Sequence, residues 1–158
     1  MLLVGGEAGL RRLKNALACA HRNTQGGTRV KALIVEDDYT SRTILHRWLI
    51  PYGETDVAID GTQAVRAFRA ARDAGKPYDL VCLDIMLPEM DGQAVLRAIR
   101  TAESEMAQPA KAARVIMTTA LNDRDNVLAA IPKCDAYLVK PIDKGKLISH
   151  LKVFGFTA

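Results

Sequence analysis

Acidic, hydroxyl and ammonium side chains recur in this sequence directly after short apolar runs. Residues 30–35 lead into Glu36, Asp37 and Asp38, residues 80–83 into Asp84, residues 114–117 into Thr118 and Thr119, and residues 136–139 into Lys140 and Pro141. If the first and third runs are neighbouring strands, Glu36, Asp37 and Asp84 crowd together. Two carboxylates ~4 Å apart repel by roughly 4 kcal/mol at an effective dielectric of about 20. Such a cluster demands a cation. An all-oxygen site with few protein ligands and room for water and a phosphoryl group suits Mg²⁺, with Mn²⁺ the substitute that the same oxygens admit. No His or Cys set converges as Zn²⁺ would require. Lys140 adds a fixed positive charge, and Thr119 a hydroxyl that can donate to an oxyanion. Together these groups make a phosphoryl-acceptor site in which Asp84 is the nucleophile and the others neutralise developing charge.

The elements that must position these groups alternate along the chain. Five runs, residues 30–35, 55–59, 80–83, 114–118 and 136–139, have strand length, and the second is the most polar, which places it at a sheet edge. Between them apolar residues recur at helical spacing: Ile44, Leu45, Trp48 and Leu49; Ala64, Val65, Phe68 and Ala71; Val95, Leu96 and Ile99; Val127, Leu128 and Ile131; Leu147, Ile148 and Leu151. Thr40 and Ser41 offer caps for the first helix and Pro51 a stop. Residues 103–112 break any period and read as a loop lengthening the exit from the third helix. Alternating strands and helices predict a parallel sheet covered on both faces, an α/β fold in which ligands bind beyond the carboxyl ends of the strands.

Four ordered motifs carry a resemblance to a known family. They are Leu33 to Asp38 (LIVEDD), Asp84 to Gly92 (DIMLPEMDG), Met117 to Ala120 (MTTA) and Tyr137 to Pro141 (YLVKP). Over about residues 29–154 the chain resembles the receiver domains of two-component response regulators. The resemblance implies a flavodoxin-like receiver fold, with five parallel strands in the order 2-1-3-4-5 and helices on both faces. It implies that Asp84 accepts a phosphoryl group from the phosphohistidine of a sensor histidine kinase or phosphotransfer protein. Glu36, Asp37, Asp84 and the backbone carbonyl of Met86 would then hold Mg²⁺, with Asp38 a flanking acid. Thr119 would bond the phosphoryl group and move inward, letting Tyr137 rotate from an exposed to a buried position. Lys140 would pair with a phosphoryl oxygen, the Lys140–Pro141 bond would be cis, and Pro88 and Gly92 would shape the loop after Asp84. Output would run through protein contacts on the face formed by helix four, strand five and helix five, or through a homodimer. Kinase docking would use the first helix, where Tyr39 and Ser41 flank the acids. Such a domain promotes its own phosphorylation and dephosphorylation and is a signalling domain, not an enzyme with a separate substrate. Met86 and Leu121 depart from the chemotaxis member, which is polar at both places. Apolar side chains there cannot orient attacking water, so slow loss of phosphate is expected.

Length and composition bound the alternatives. A chain of 158 residues, 49% hydrophobic and 25% charged, suits one globular domain, read as residues 29–155 with no output domain behind it. The net charge of +4 resides in the first 29 residues, where five bases face Glu7 alone. Residues 1–28 therefore read as a basic extension and linker, with Leu10, Leu13 and Leu17 at helical spacing. The neutral body argues against direct binding of nucleic acid. Three cysteines without ligand spacing fit reduced thiols in the cytoplasm, and no apolar run approaches a membrane span. Each motif alone has an ordinary reading as a solvated turn, a cap or a surface charge; their order across four strand ends sets the combination apart. Three other readings stand beside the receiver. One is a non-phosphorylated scaffold of the same fold, another a receiver fragment of a hybrid kinase. The third is an aspartyl-phosphate hydrolase, which would carry a second Asp where this chain has Met86.

Overall fold

In the computed structural model, residues 29–105, 112–120 and 133–158 are described. The strands are β1 (Val30–Val35), β2 (Gly53–Ala58), β3 (Leu80–Asp84), β4 (Arg114–Thr119) and β5 (Ala136–Val139). The helices are α1 (Tyr39–Leu49), α2 (Gly61–Asp73), α3 (Gly92–Ser104) and α4 (Lys144–Val153). The strands form one sheet in the order β2-β1-β3-β4-β5, and every neighbouring pair is parallel, as expected.

Side chains alternate across the central strands and build two apolar layers. Leu33, Val35, Val81, Leu83, Val115 and Met117 meet Phe68 of α2 and Val95, Leu96 and Ile99 of α3. Ile34, Leu80, Cys82, Ile116 and Leu138 face the other way, onto Leu45 and Leu49 of α1 and Leu147 and Leu151 of α4. Trp48 packs at the margin of that second layer, as a residue of helix-one core should. Burying one such aliphatic side chain contributes roughly 1.5 to 3 kcal/mol, so the two layers fix the sheet's register and with it the strand ends.

All four described α-helices start with an aspartate whose carboxylate accepts a backbone N–H in the first turn. Asp38 takes that of Ser41 at 2.6 Å, Asp60 that of Gln63 at 2.7 Å, Asp91 that of Ala94 at 2.7 Å, and Asp143 that of Lys146 at 2.8 Å. Each cap is worth about 1 kcal/mol. The cap of α1 is thus Asp38 and not Thr40 or Ser41, because the helix begins one residue earlier, at Tyr39. Its end is as expected: a 3₁₀ turn, Ile50–Tyr52, carries Pro51 directly after Leu49.

Three further expectations are corrected. β2 runs over Gly53–Ala58 and not residues 55–59, since Gly53 pairs with Val30 so closely that a Cβ there would lie 2.1 Å from the Val30 carbonyl oxygen. Ile44 is exposed, while Leu45 and Leu49 carry the buried face of α1. α3 continues through Ser104, so Glu103 belongs to the helix, where its Oε1 accepts the Ala113 N–H at 2.7 Å. The expected helix around Val127, Leu128 and Ile131, the basic extension, and Leu121 lie outside the described residues. Consequently α4 is the fifth of the helices expected from sequence.

Candidate functional site

The site is the carboxyl edge of the three inner strands. Val35 pairs with Leu83 and Asp84 with Thr118, so Glu36, one residue beyond Val35, falls beside Asp84. Glu36 extends the ladder, its N–H donating to the Ala58 carbonyl at 3.1 Å. Glu36 and Asp84 are buried and Asp37 is exposed. One carboxylate oxygen from each of Glu36, Asp37 and Asp84 lies within 4.8 Å of the others. Asp38 stands outside this group, spent on its cap.

Lys140 reaches across from the end of β5. Its Nζ lies 2.5 Å from Asp84 Oδ2 and donates to Glu36 Oε1 at 3.0 Å. Glu36 Oε2 is 2.9 Å from the same nitrogen, off the hydrogen-bonding direction, and no donor among the described residues reaches it. Burial pushes the Glu36 carboxyl up to about 7, opposed by its bond to Lys140 and reinforced by the charge of Asp84. Burial works against the Lys140 ammonium, yet its hydrogen bonds to Asp84 and Glu36, with their charges, raise its pKa above the ordinary lysine value. The peptide bond between Lys140 and Pro141 is cis, as expected.

The loop after Asp84 is held by its own backbone. Asp84 Oδ1 accepts the Met86 N–H at 3.0 Å, the Ile85 N–H donates to Thr118 O at 3.0 Å, and the Gly92 N–H donates to Ile85 O at 2.9 Å. A Cβ on Gly92 would lie 2.1 Å from the Asp84 carbonyl oxygen, so only glycine lets α3 start against the end of β3. Pro88 supplies the carbonyl that accepts the Met90 N–H at 2.7 Å, with Glu89 between them at a φ of 65°. The side chain of Met86 is 64% exposed beside the acids.

Thr119 ends β4, buried, its Oγ1 donating to the Ala120 carbonyl at 3.1 Å, and Tyr137 stands on the edge strand β5 at 48% exposure. Glu36, Asp37, Asp84 and Lys140 thus meet at this edge and Thr119 ends the neighbouring strand, while Met86, Pro88 and Gly92 lie in the segment after Asp84, Tyr137 lies within β5 opposite Met117, and Leu121 is not among the described residues.

Three features escaped the sequence reading. The first is that Lys140 pairs with Glu36 as well as Asp84, a contact between residues 104 apart with no local signature. The second is Thr118, a buried hydroxyl without a hydrogen-bond partner. The third is Arg42 on the first turn of α1, whose Nη1 donates to the carbonyls of Glu36 at 2.9 Å and Asp37 at 3.0 Å. A base placed within two helical turns after paired acids is the only sequence signal it offers.

The donor set fits Mg²⁺: three carboxylates, no nitrogen or sulfur ligand, and a buried carboxylate oxygen left without a donor. Among the described residues no helix is long and apolar enough to cross a membrane.

Comparison with known proteins gives a consistent picture. The family model described as response regulator receiver domain matches residues 32–152. The chain is 32% identical over 127 residues to hybrid signal transduction histidine kinase L of Dictyostelium discoideum, covering 79% of this chain and 7% of that protein. It is 36% identical over 126 residues to the DNA-binding response regulator MtrA of Mycobacterium tuberculosis, covering 78% of this chain and 50% of that one. It thus spans half or less of these curated relatives. Among solved structures, the receiver domain of sensor histidine kinase PA1611 from Pseudomonas aeruginosa, with a magnesium ion in its active-site cleft, superposes with a TM-score of 0.64. The two are 29% identical, with 79% of this chain and 96% of that one covered. A CheX-CheY-BeF3-Mg complex from Borrelia burgdorferi gives a TM-score of 0.66 at 30% identity, covering 79% and 89%.

Proposed function

This chain belongs to the response regulator receiver family, and from that premise we propose that Asp84 is its phosphoacceptor. The observation that carries the reading is the meeting of Asp84, Glu36, Asp37 and Lys140 at one strand edge, three acids and one ammonium drawn from three strand ends. An Asp84 carboxylate oxygen attacks phosphorus; the P–N bond of a phosphohistidine breaks as the P–O bond forms, and the imidazole leaves with its proton restored from solvent. Glu36, Asp37, Asp84 and the Met86 carbonyl would hold Mg²⁺, for which Mn²⁺ can substitute. When bound, the ion supplies positive charge to the transferring phosphoryl oxygens.

Lys140, released from its bond to the Asp84 carboxylate, pairs with a phosphoryl oxygen, and Pro141 fixes the backbone behind it. Thr119 exchanges its bond to the Ala120 carbonyl for one to the phosphoryl group, and half-exposed Tyr137 follows inward. Pro88 and Gly92 keep the loop that presents Asp84. Met86 offers attacking water no polar group, which supports slow loss of phosphate. The donor is a sensor histidine kinase or phosphotransfer protein, and the receiver of domain 29–155 works in the cytoplasm. Its output is a changed protein contact, a homodimer included, with no part played by nucleic acid at this domain, and residues 1–28 are an extension outside it.

Intact-mass spectrometry after incubation with acetyl phosphate tests this reading. A gain of one phosphoryl group that needs Mg²⁺ and is lost in Asp84→Asn is the expected result. Phosphate released catalytically without a stable adduct would turn the assignment to a hydrolase, and neither adduct nor turnover would leave a scaffold.

A further inference from the structure

The geometry points to Arg42 as the residue that positions the two β1 acids for the metal, acting through their backbone and not through their charge. Its guanidinium stands beside Glu36 and Asp37, four to six residues after the acids at 36–38, where an ion pair would be the ordinary outcome. Among the described residues it makes none. A single nitrogen, Nη1, instead donates to the carbonyls of both Glu36 and Asp37, at 2.9 and 3.0 Å. The Arg42 N–H donates to Asp38 O at 3.0 Å, and the guanidinium carbon lies 5.5 Å from the Tyr39 ring centroid. The first turn of α1 is thereby strapped to the three residues that precede it.

The consequence is geometric. Both carbonyls are bonded to α1, so the peptide planes at 36 and 37 are fixed, and one carboxylate oxygen of each side chain lies within 4.8 Å of one from Asp84. The Glu36 N–H is fixed as well, by the Ala58 carbonyl at 3.1 Å. The turn carrying the two acids is held at both ends, without Arg42 occupying either carboxylate. Residues that orient ligands in this way typically change metal affinity by roughly 10- to 100-fold when removed. The inference rests on the metal site proposed above.

Charge and position predict opposite signs for the same substitution. A cation near three acids opposes binding of another cation, so if Arg42 acted by charge, Arg42→Met would tighten Mg²⁺ binding. If it acts by position, Arg42→Met weakens it, by about 10-fold or more, and Arg42→Lys, which keeps the charge and one donor group, recovers part of the loss. The measurement is Mg²⁺ titration of the unphosphorylated full chain by calorimetry, for wild type, both variants and Asp84→Asn, with urea unfolding of each in EDTA. Weakened binding in Arg42→Met with partial rescue by lysine supports the assignment. Tighter binding, or unchanged binding in a variant that has only lost stability, overturns it. Failure of the wild type itself to bind Mg²⁺, or equal binding by Asp84→Asn, overturns the metal site and the role of Arg42 with it.

Discussion

Replacing Lys140 by methionine removes the ammonium that both buried acids share and leaves a stem of similar size. Glu36 and Asp84 then face each other with ligand oxygens within 4.8 Å and no cation between them. Two unit charges at that separation repel by about 3 kcal/mol at an effective dielectric of about 20. The protein escapes by protonating Glu36, whose pKa already stands at about 7 against an ordinary 4.5, and which loses the hydrogen bond and charge of Lys140 that hold it down. With its folded pKa raised, Glu36 binds more protons folded than unfolded, so its contribution to stability falls as pH rises from the unfolded value toward the folded one. In the wild type that decline ends near 7; in Lys140→Met it continues to higher pH. The two proteins should therefore differ little at pH about 5 and by about 3 kcal/mol at pH about 8.5 in EDTA. With urea slopes of about 1 to 3 kcal/mol per molar, that is a midpoint shift of roughly 1 to 3 M. Fluorescence of Trp48, the one tryptophan, reports the transition. Saturating Mg²⁺ should close most of the gap, since it restores positive charge to the same carboxylates. A loss of stability independent of both pH and Mg²⁺ would refute the reasoning and reduce Lys140 to a packed stem.

Mg²⁺ affinity itself should rise about tenfold per pH unit up to about 7 and then level off, because the ion needs Glu36 ionised; calorimetry in two buffers of different ionisation enthalpy should show a proton released below that point and none well above it. Thr118→Val should stabilise the protein by about 1 kcal/mol, since the buried hydroxyl has no partner to lose, and a destabilised variant in urea unfolding would reveal a partner. Gly92→Ala should cost about 2 to 3 kcal/mol and slow labelling by acetyl phosphate, because the new methyl displaces the Asp84 carbonyl; an unchanged labelling rate would show that the loop can yield. Met86→Asn should shorten the phosphoryl lifetime several-fold by giving water a polar group beside Asp84, and a lifetime equal to wild type in a radiolabel chase would remove that position from the chemistry.

What the sequence disclosed and what it withheld divide along physical lines. Short apolar runs and helical periodicity located every described strand and α-helix, and the sheet order came with the family resemblance. Boundaries were less legible where geometry and not hydrophobicity decides them. Gly53 enters β2 because its backbone approaches Val30 too closely for a side chain, a fact invisible in a polar stretch. Asp38 looked like one more acid of the site, yet a helix begun at Tyr39 makes it a cap. The acids, Thr119 and Lys140 were legible because each follows an apolar run. Arg42 and the orphaned Thr118 hydroxyl were not, since the first acts on carbonyls, which have no sequence identity, and the second is defined by a partner it lacks.

The arrangement also accounts for how a phosphoryl group could act beyond its own atoms. With Glu36, Asp37 and Asp84 ionised and Lys140 charged, the site carries a net charge of −2, which one divalent ion neutralises. An aspartyl phosphate at the proposed acceptor would exchange one carboxylate charge for as many as two, upsetting the balance by about one unit and drawing Lys140 from Asp84 and Glu36 toward it. The backbone at this point cannot slide to accommodate it: the Lys140 N–H donates to Thr119 O at 2.7 Å, locking the ends of β4 and β5 together. Relief must come from side chains. Thr119, β-branched and buried, can rotate its hydroxyl from the Ala120 carbonyl to the phosphoryl group. That would free the Ala120 carbonyl at the exit of β4, next to the edge strand on which Tyr137, paired with Met117, is half exposed already. On the proposed phosphorylation of Asp84, the added charge would act first on the β4 and β5 ends that Thr119 and Lys140 close, away from the β1 turn that Arg42 bonds.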